Sequence, residues 1–424
     1  MGANVKRNPT SAFSSIQGLR CLGCGRNFPI APMQEGCPDC MTAGRPAILD
    51  AVYRLEAEEA WALKAAGRFW DYHALLPVAE PASMVTLGEG NTPLLALSPA
   101  AEESGADQVW VKYEAVNPTH SWKDRTNAVA VAMARHFGFS KVMCASTGNH
   151  GVSLAAYAAR AGLRCLVLLP AAAPPVAVQE LEFFGATRVA VEGDVLPLMH
   201  ELVREHGWYV SQRNSPGTWG RPFGNPFGTD GYKTMAYEIY HQLGERAPDM
   251  VFVPVGGGDG AWGIYKGFVE LKTLGLADQV PQIIACQSAA GASLAHAWRE
   301  KLPQIEPVPT SPTIAFSIVD RLAGDHALIA VRRSEGRAIA VDEAELVAAE
   351  DILRKKGICV EPSSAASLAS LRRLSREGAG FAGKSVVLIA TGTGLRWPAT
   401  FAGISSNPPQ VEASIAALRR VVEL

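Results

Sequence analysis

Short apolar runs alternate with segments of helical periodicity along most of this chain. In the first half, the runs lie at residues 109–113, 141–145, 164–169, 187–191 and 208–211. In the second half, they lie at 250–255, 282–287, 337–341 and 385–390, with a helical pattern at 343–356. Almost continuous apolar runs such as 386–390 are typical of strands buried on both faces of a parallel sheet. The alternation therefore predicts an α/β protein with a pair of doubly wound parallel sheets.

The length and net charge of the chain limit the kinds of binding partner to be expected. The 424 residues are enough for two or three domains, and Lys+Arg 39 against Asp+Glu 41 leaves a formal charge of -2. No strong positive field is present to attract nucleic acid or a membrane surface, so the expected partner is a small molecule. The N-terminus leads into no apolar signal segment, and the most apolar region, 152–178, is interrupted by Arg and Pro. We therefore expect a cytoplasmic chain.

A cluster of four cysteines near the N-terminus has the spacing of a metal site. The pattern is Cys-x-x-Cys, twelve residues, Cys-x-x-Cys, formed by Cys21, Cys24, Cys37 and Cys40. Two such knuckles can present four thiolates tetrahedrally to zinc. The alternatives are two disulfides or incidental cysteines, but nothing else in the sequence indicates an oxidising compartment. Because no open position is left, the predicted zinc is structural.

Lys123 is the candidate nucleophile of the chain. A lysine near a helix start is most often a solvated surface charge. Here Ser121 would cap a helix running past Asn127, which places the Lys123 amine near the positive end of the helix dipole. The charged form is disfavoured there, so the amine is a better nucleophile for an aldehyde. Three Gly-rich loops follow it, and together with Lys123 they describe a pyridoxal phosphate site.

The Gly-rich loop most typical of phosphate binding follows the apolar run 250–255 and precedes a helical pattern at 261–274. It consists of Gly256, Gly257, Gly258, Asp259 and Gly260. Free backbone N–H groups of such a loop at a helix N-terminus bind anions. The spacing Gly-x-Gly-x-x-Gly is missing, which disfavours a dinucleotide, and the remaining alternative is a plain tight turn.

The other two loops also follow predicted strands. In the first, Ser146-Thr147-Gly148-Asn149, free amides can hold a substrate carboxylate while Asn149 reaches a ring oxygen of the cofactor. In the other, the hydroxyl of Thr391 can bond a pyridine nitrogen without protonating it. Each loop alone is more often a helix cap or a turn, so their combination carries the prediction.

Taken together, these motifs resemble the threonine synthase family of fold type II pyridoxal phosphate enzymes over essentially the whole chain. Further matching segments lie at 53–55, 87–94, 231–234 and 361–367. The resemblance implies two doubly wound αβα domains of the tryptophan synthase β-like kind, with an N-terminal zinc ribbon, assembled as a homodimer. It places the ribbon segment at 1–75, a large cofactor-binding domain at 76–135 and 231–424, and a smaller domain at 136–230.

The resemblance also implies roles for individual residues. Lys123 is the lysine that binds the cofactor, the loop from Gly256 to Gly260 holds its phosphate, and Asn149 and Thr391 face its ring. The implied substrate contacts are Thr92, Ser121, Ser146, Thr147, Gly148, His150 and Lys233.

The implied reaction converts O-phosphohomoserine and water to threonine and phosphate. Gly228, however, stands where the family carries an Arg that helps to hold the substrate phosphate, so Arg213 or Arg221 would have to replace it. His150 is closer to the pattern of amino acid dehydratases. The sequence therefore leaves open a dehydratase or ammonia-lyase that removes a β-substituent, and, as a third reading, a catalytically silent binding homologue.

Overall fold

The structure is a computed structural model of the chain. It describes residues 14–44, 46–56, 60, 62–64, 67–78, 80–146, 148–169, 175–214, 223–397, 400 and 408–422. Within these residues, no helix is both long and apolar enough to cross a membrane.

The strands are short, as expected for an α/β protein. In chain order they are β1 Ile16–Cys21, β2 Asn27–Phe28, β3 Leu49–Tyr53, β4 Leu94–Ala96, β5 Gln108–Tyr113, β6 Lys141–Ala145, β7 Arg164–Leu169, β8 Thr187–Ala190, β9 Tyr209–Val210, β10 Arg213–Asn214, β11 Phe223–Gly224, β12 Met250–Pro254, β13 Gln282–Ser288, β14 Arg337–Val341 and β15 Ser385–Ala390.

Helices lie between most of these strands. In chain order they are α1 Pro38–Thr42, α2 Ser98–Ser104, α3 Lys123–His136, α4 Asn149–Ala161, α5 Pro175–Phe183, α6 Leu196–Arg204, α7 Lys233–Gln242, α8 Asp259–Thr273, α9 Ser293–Arg299, α10 Asp325–Arg333, α11 Glu343–Lys355, α12 Pro362–Arg376 and α13 Ile415–Leu418.

Two sheets dominate the fold. The larger has the strand order β14-β13-β12-β15-β5-β4, parallel except for the antiparallel edge strand β4. The smaller has the order β8-β7-β6-β9 and is parallel throughout. The predicted α/β class with doubly wound parallel sheets is therefore confirmed. Functional loops of such sheets gather at the carboxyl ends of the strands.

Helix α3 is almost entirely buried. Residues 128–134 are fully buried, and α3 packs on α4 and on the short turn Gly228–Tyr232. A helix enclosed on this scale has little freedom to move, because close-packed interiors resist displacement. The residue at its first position, Lys123, is correspondingly fixed.

A small N-terminal sheet, β2-β1-β3, is bound to both larger parts. On one side, the Asp50 carboxylate of β3 lies 3.0 Å from Lys266 Nζ and accepts a hydrogen bond from Trp262 Nε1 at 2.8 Å, both on α8. The Tyr53 hydroxyl donates to Asp230. On the other side, Gln34 Oε1 accepts from the backbone N–H of Val210 at 2.6 Å. The N-terminal segment is thus part of the same framework.

Candidate active site

A cavity of about 500 Å³ opens at the carboxyl ends of strands from both sheets. Its walls come from the start of α3, the loop before α4, the loop between β12 and α8, the segment 316–322, and the residues after β15. The sequence-predicted residues that reach this wall are Lys123, Ser146, Gly148, Asn149, His150, Gly256, Gly257, Gly258, Asp259, Gly260 and Thr391.

The Lys123 amine lies in a low-dielectric environment. Burial lowers the pKa of Lys123, and the carboxylates of Asp259, Asp320 and Glu361 act weakly in the opposite direction. The amine is 5.5 Å from the ring centre of Trp122 and 5.9 Å from that of Tyr232. A lowered pKa increases the share of neutral, nucleophilic amine. Helix α3 begins at Lys123 itself, whose N–H donates to Ser121 Oγ at 3.3 Å.

The loop between β12 and α8 has the form of an anion cradle. Gly258 is left-handed, with φ of 104°, and α8 begins immediately after it and runs for 15 residues. The first N–H groups of a helix have no acceptor within it and point outward together with the positive end of the helix dipole. A Cβ on Gly260 would lie 2.4 Å from the Trp122 ring, so glycine is required at this position. This cradle and Lys123 fit the phosphate and aldehyde of pyridoxal phosphate.

Glu361 organises the side chains opposite the cradle. It accepts hydrogen bonds of 2.8 Å from Asn149 Nδ2, Thr391 Oγ1 and Trp397 Nε1. Arg396 in turn donates to Asn149 Oδ1, which fixes the orientation of that amide. Burial raises the pKa of Glu361, while the hydrogen bonds lower it. The amide nitrogen of Asn149 retains a second N–H for a ligand.

The charged side chains of the wall are mostly acidic. Asp259 Oδ1 lies 3.1 Å from His326 Nε2, and the Asp320 carboxylate faces the cavity. His150 Nε2 is 2.8 Å from Ser211 Oγ, and burial together with Lys123 lowers the pKa of His150 to about 3. Because this imidazole is neutral at pH 7, Lys123 is the single cationic side chain in the part of the wall that the structure describes.

Comparison with known proteins settles the family. A family model described as "Pyridoxal-phosphate dependent enzyme" matches residues 85–392. The chain belongs to the pyridoxal-phosphate dependent enzyme family. This pyridoxal-phosphate dependent enzyme is 36% identical to the threonine synthase of Methanocaldococcus jannaschii, over 95% of this chain and 99% of that protein. It is 35% identical to the threonine synthase of Methanosarcina acetivorans, over 95% of this chain and 98% of that protein.

Solved structures of the same fold include more distant pyridoxal phosphate enzymes. Maize serine racemase matches with a TM-score of 0.62 and 20% identity, over 72% of this chain and 89% of that one. Threonine deaminase isoform 2 from Solanum lycopersicum matches with a TM-score of 0.59 and 19% identity, over 79% and 88%. At these identities the likeness describes the fold alone. It agrees with the fold type II architecture expected from the sequence.

Three predicted substrate contacts of this pyridoxal-phosphate dependent enzyme are not brought to the cavity wall. Thr92 is buried, and its hydroxyl donates to Glu114 at 2.6 Å. Ser121 is buried in a bridge to Gly392. Lys233 is fully buried, with its amine 2.9 Å from Glu270 Oε1. Thr92 and Lys233 are thus engaged by distant parts of the chain, and the Ser121 hydroxyl accepts from the nearby N–H of Lys123.

The remaining expectations concern Thr147, Gly228 and two arginines, Arg213 and Arg221. Thr147 and Arg221 lie outside the described residues, and of Arg213 only the backbone, in β10, is described. Gly228 is buried, and a Cβ there would meet Thr126 Oγ1 at 2.8 Å. Threonine synthases that this chain resembles carry an Arg at this position. In this chain there is no space for a side chain there.

Sequence reasoning missed several residues of the wall. Glu361 lay in a recognised segment, but its role requires contacts with residues that are 30 or more positions away. Asp320 belongs to no Gly-rich loop and carries no local signal, and Tyr232, inside the recognised segment 231–234, was not singled out as a site residue. Trp397, shortly after the last glycine loop, is the missed wall residue nearest to a recognised motif, and Arg396 beside it acts on the wall only through Asn149.

The four N-terminal cysteines do form one cluster. Their sulfur atoms all lie within 4.8 Å of one another, and none is in a disulfide. The separation is 3.6 Å between the sulfurs of Cys21 and Cys40, and 3.8 Å between those of Cys24 and Cys37. Four sulfurs at ~2.3 Å from a tetrahedral zinc would be separated by ~3.8 Å. The donor set and its geometry fit this ion.

Proposed function

We propose that this protein is a threonine synthase-type lyase that converts O-phosphohomoserine and water to threonine and phosphate. The observation that carries the proposal is the 36% identity to an archaeal threonine synthase over almost the full length of both chains. The placement of Lys123, the glycine cradle and Thr391 around one cavity supports it.

The proposed roles of the side chains follow from their positions. The loop 256–260 holds the cofactor phosphate, and the Asn149 amide and Thr391 orient the ring. The Thr391 hydroxyl, which donates to Glu361 in this structure, would turn toward the ring nitrogen when the cofactor binds. Bound pyridoxal phosphate supplies an electron sink for the carbanion chemistry. Lys123, with its lowered pKa, takes the proton from the substrate Cα. The backbone amides of the Ser146 to His150 loop receive the substrate carboxylate.

A second candidate function is favoured by the charge of the wall. Three carboxylates face the cavity, and Lys123 is the single described cation there. Gly228 offers no side chain to pair with a substrate phosphate and no space for one. This electrostatic environment favours a substrate with a neutral or cationic side chain, because an uncompensated charge in a desolvated site is costly. Elimination of a β-hydroxyl or β-amino group is the corresponding reaction.

One incubation series separates the two functions. The purified protein, with its cofactor absorbance recorded, is given O-phosphohomoserine, and threonine and phosphate are measured together. Parallel samples receive serine, threonine or 2,3-diaminopropionate and are assayed for ammonia and keto acid. Equal release of threonine and phosphate supports the first function, and its absence with ammonia release supports the second. Lys123→Ala should lose both the absorbance and all turnover, whereas a protein that never binds the cofactor would contradict both functions.

We also propose that the cysteine cluster holds a structural zinc ion. Metal analysis should find about one zinc per chain, since four thiolates complete its coordination. Cys37→Ser should lower the unfolding temperature much more than it changes the cofactor spectrum, because binding of a structural metal is coupled to folding. A fully stable protein without metal would refute this proposal.

The proposed organisation follows the two sheets. The larger sheet takes its strands from 94–113 and 250–390, and the smaller from 141–210. We infer a large cofactor domain of 76–135 and 231–424, a smaller domain of 136–230 and an N-terminal segment of 1–75. The homodimer remains a proposal, which sedimentation of the purified protein would test.

A further inference from the structure

Asp320 is a carboxylate that the described structure leaves open to the cavity. It follows the short helical turn Phe316–Ile318, and its Oδ2 packs against the phosphate loop, 2.8 Å from the Cβ position of Gly256. Within the described residues, no hydrogen bond or ion pair engages it. The other two carboxylates of the wall are engaged, Asp259 with His326 and Glu361 with three donors. Asp320 is therefore available to a bound substrate.

The proposed reaction requires a proton at the leaving group. When the Cγ–O bond of O-phosphohomoserine breaks, both electrons remain on the oxygen, and without a proton the product would be a strongly basic phosphate trianion. A hydroxide or amide leaving group in the β-elimination has the same need. A metal ion or a cationic side chain can meet it, but Lys123 is the single described cation of the wall and is assigned to the Cα proton.

The other candidate acids of the wall are unsuited to this step. The pKa of His150 is lowered to about 3 by burial and by Lys123, so its imidazole carries no spare proton at neutral pH. Burial raises the pKa of Tyr232 well above its usual value, which makes its hydroxyl a weaker acid. Glu361 is occupied by its three donors. By elimination, the side chain that remains is Asp320.

We propose that Asp320 is the general acid that protonates the leaving group of the substrate side chain. This inference rests on the proposed function. With O-phosphohomoserine, Lys123, neutral again after passing on the Cα proton, takes the Cβ proton, and the Cβ–H electron pair forms the Cβ=Cγ double bond as the Cγ–O bond breaks. The electron pair of the Cγ–O bond passes to the phosphate oxygen, and that oxygen takes the carboxyl proton of Asp320. Hydrogen phosphate departs, and the Asp320 carboxylate regains a proton from water that enters as the product leaves.

The side chain of Asp320 is exposed to the open cavity, and a bound substrate would cover it. Desolvation by the surrounding protein raises the pKa of Asp320 to about 6, and Lys123 acts in the opposite direction. The charged or titratable side chains facing the same cavity are Lys123 of α3, His150 of α4, Tyr232, Asp259 of α8 and Glu361 directly before α12, and His326 of α10 lies behind Asp259. An anionic substrate raises the pKa further. Turnover that depends on the acid form therefore falls as pH rises above this pKa.

The test compares two substrates in Asp320→Asn. O-phosphohomoserine has a leaving group, whereas 2-amino-3-butenoate already carries the double bond that phosphate loss creates. Because general acid catalysis contributes about 100-fold to 10,000-fold, kcat for O-phosphohomoserine should fall at least about 100-fold, while threonine formation from 2-amino-3-butenoate persists. Asp320→Glu, which keeps a carboxyl, should recover part of the loss. Glu306→Gln, the same charge change at an exposed position, is the matched control.

Cofactor absorbance and unfolding temperature are measured for every variant, so that a folding defect is recognised. Equal losses with both substrates would overturn the proposal, as would an Asp320→Asn enzyme that is faster with O-phosphohomoserine because a repelling charge has gone. If the unaltered protein makes no threonine, the proposed function fails, and the acid is tested with serine against β-chloroalanine. Chloride leaves without a proton, so Asp320→Asn should then impair serine alone, and equal impairment would again refute the role.

Discussion

Replacing Lys233 with methionine is expected to lower the stability of the protein and leave its KM for substrate unchanged. The Lys233 amine lies 2.9 Å from Glu270 Oε1 and 3.6 Å from the ring centre of Tyr53, and its side chain is fully buried away from the cavity wall. Methionine occupies a similar volume but offers no charge. Glu270 would then be a buried carboxylate without this cation.

The size of the effect follows from burial. Removing one partner of a buried ion pair costs about 3–5 kcal/mol, because the other charge stays desolvated. Glu270 retains the hydroxyl of Tyr237 as a donor, and burial raises the pKa of Glu270, so that protonation can relieve part of the penalty. We therefore expect the lower end of the range, about 3 kcal/mol.

Urea unfolding of the cofactor-bound protein, followed by tryptophan fluorescence, measures this loss. Lys272→Met is the matched control, because Lys272 is an exposed lysine on the helix that carries Glu270. The double variant Lys233→Met/Glu270→Leu should recover much of the stability, since it removes both buried charges. An unchanged urea midpoint together with a raised KM would refute this reasoning and restore Lys233 as a substrate contact.

Two further substitutions test buried positions outside the cavity wall. Gly228→Arg should destabilise the protein without improving turnover of a phosphorylated substrate, because a Cβ there meets Thr126 Oγ1 at 2.8 Å; better turnover without loss of stability would contradict this. Glu238 tests the pH dependence of stability: burial alone would raise its pKa, but Arg125 and Lys112 lower it to about 2. The stability that ionised Glu238 contributes is therefore fully present above its unfolded-state pKa of ~4.3 and is lost as pH falls through its folded-state pKa of about 2. This pKa difference corresponds to roughly 3 kcal/mol of unfolding free energy. Unfolding of Glu238→Gln should depend less on pH across this acid range, and identical pH profiles for both proteins would exclude the effect.

The main strands and helices could be predicted from sequence wherever burial produces an uninterrupted apolar or periodic pattern of residues. The run 385–390 is apolar because β15 lies between β12 and β5 and is covered on both faces, and its predicted bounds agree with the structure. The helix predicted at 343–356 is observed as Glu343–Lys355, with Asp342 accepting a hydrogen bond from the Glu345 N–H at 2.9 Å. Short edge elements such as β4 and β10 have too few residues to show a period.

The cavity wall was only partly predictable, since chemistry there depends on contacts distant in sequence. The Gly-rich loops could be recognised because phosphate binding requires a local backbone form, as at Gly258 with its positive φ. Lys233 carries the same charge whether it faces solvent, substrate or Glu270, and the residue that decides this is 37 positions away. Asp320 lies at the cavity because of the path that its loop follows, and no local sequence pattern predicts that path.

Strand β3 is bound to α8 and to Asp230. The catalytic part of the chain is therefore not structurally independent of the N-terminal segment. The family region spans 85–392, yet two of its buried charges, Lys266 and Asp230, have partners at Asp50 and Tyr53, ahead of that region. A gene fragment encoding the family region alone would keep the Lys266–Asp230 pair but expose it and remove its partners Asp50 and Tyr53. The N-terminal partners of these ion pairs lie ahead of the region of sequence homology. Fragments, fusions or transplanted segments of this enzyme should therefore include them.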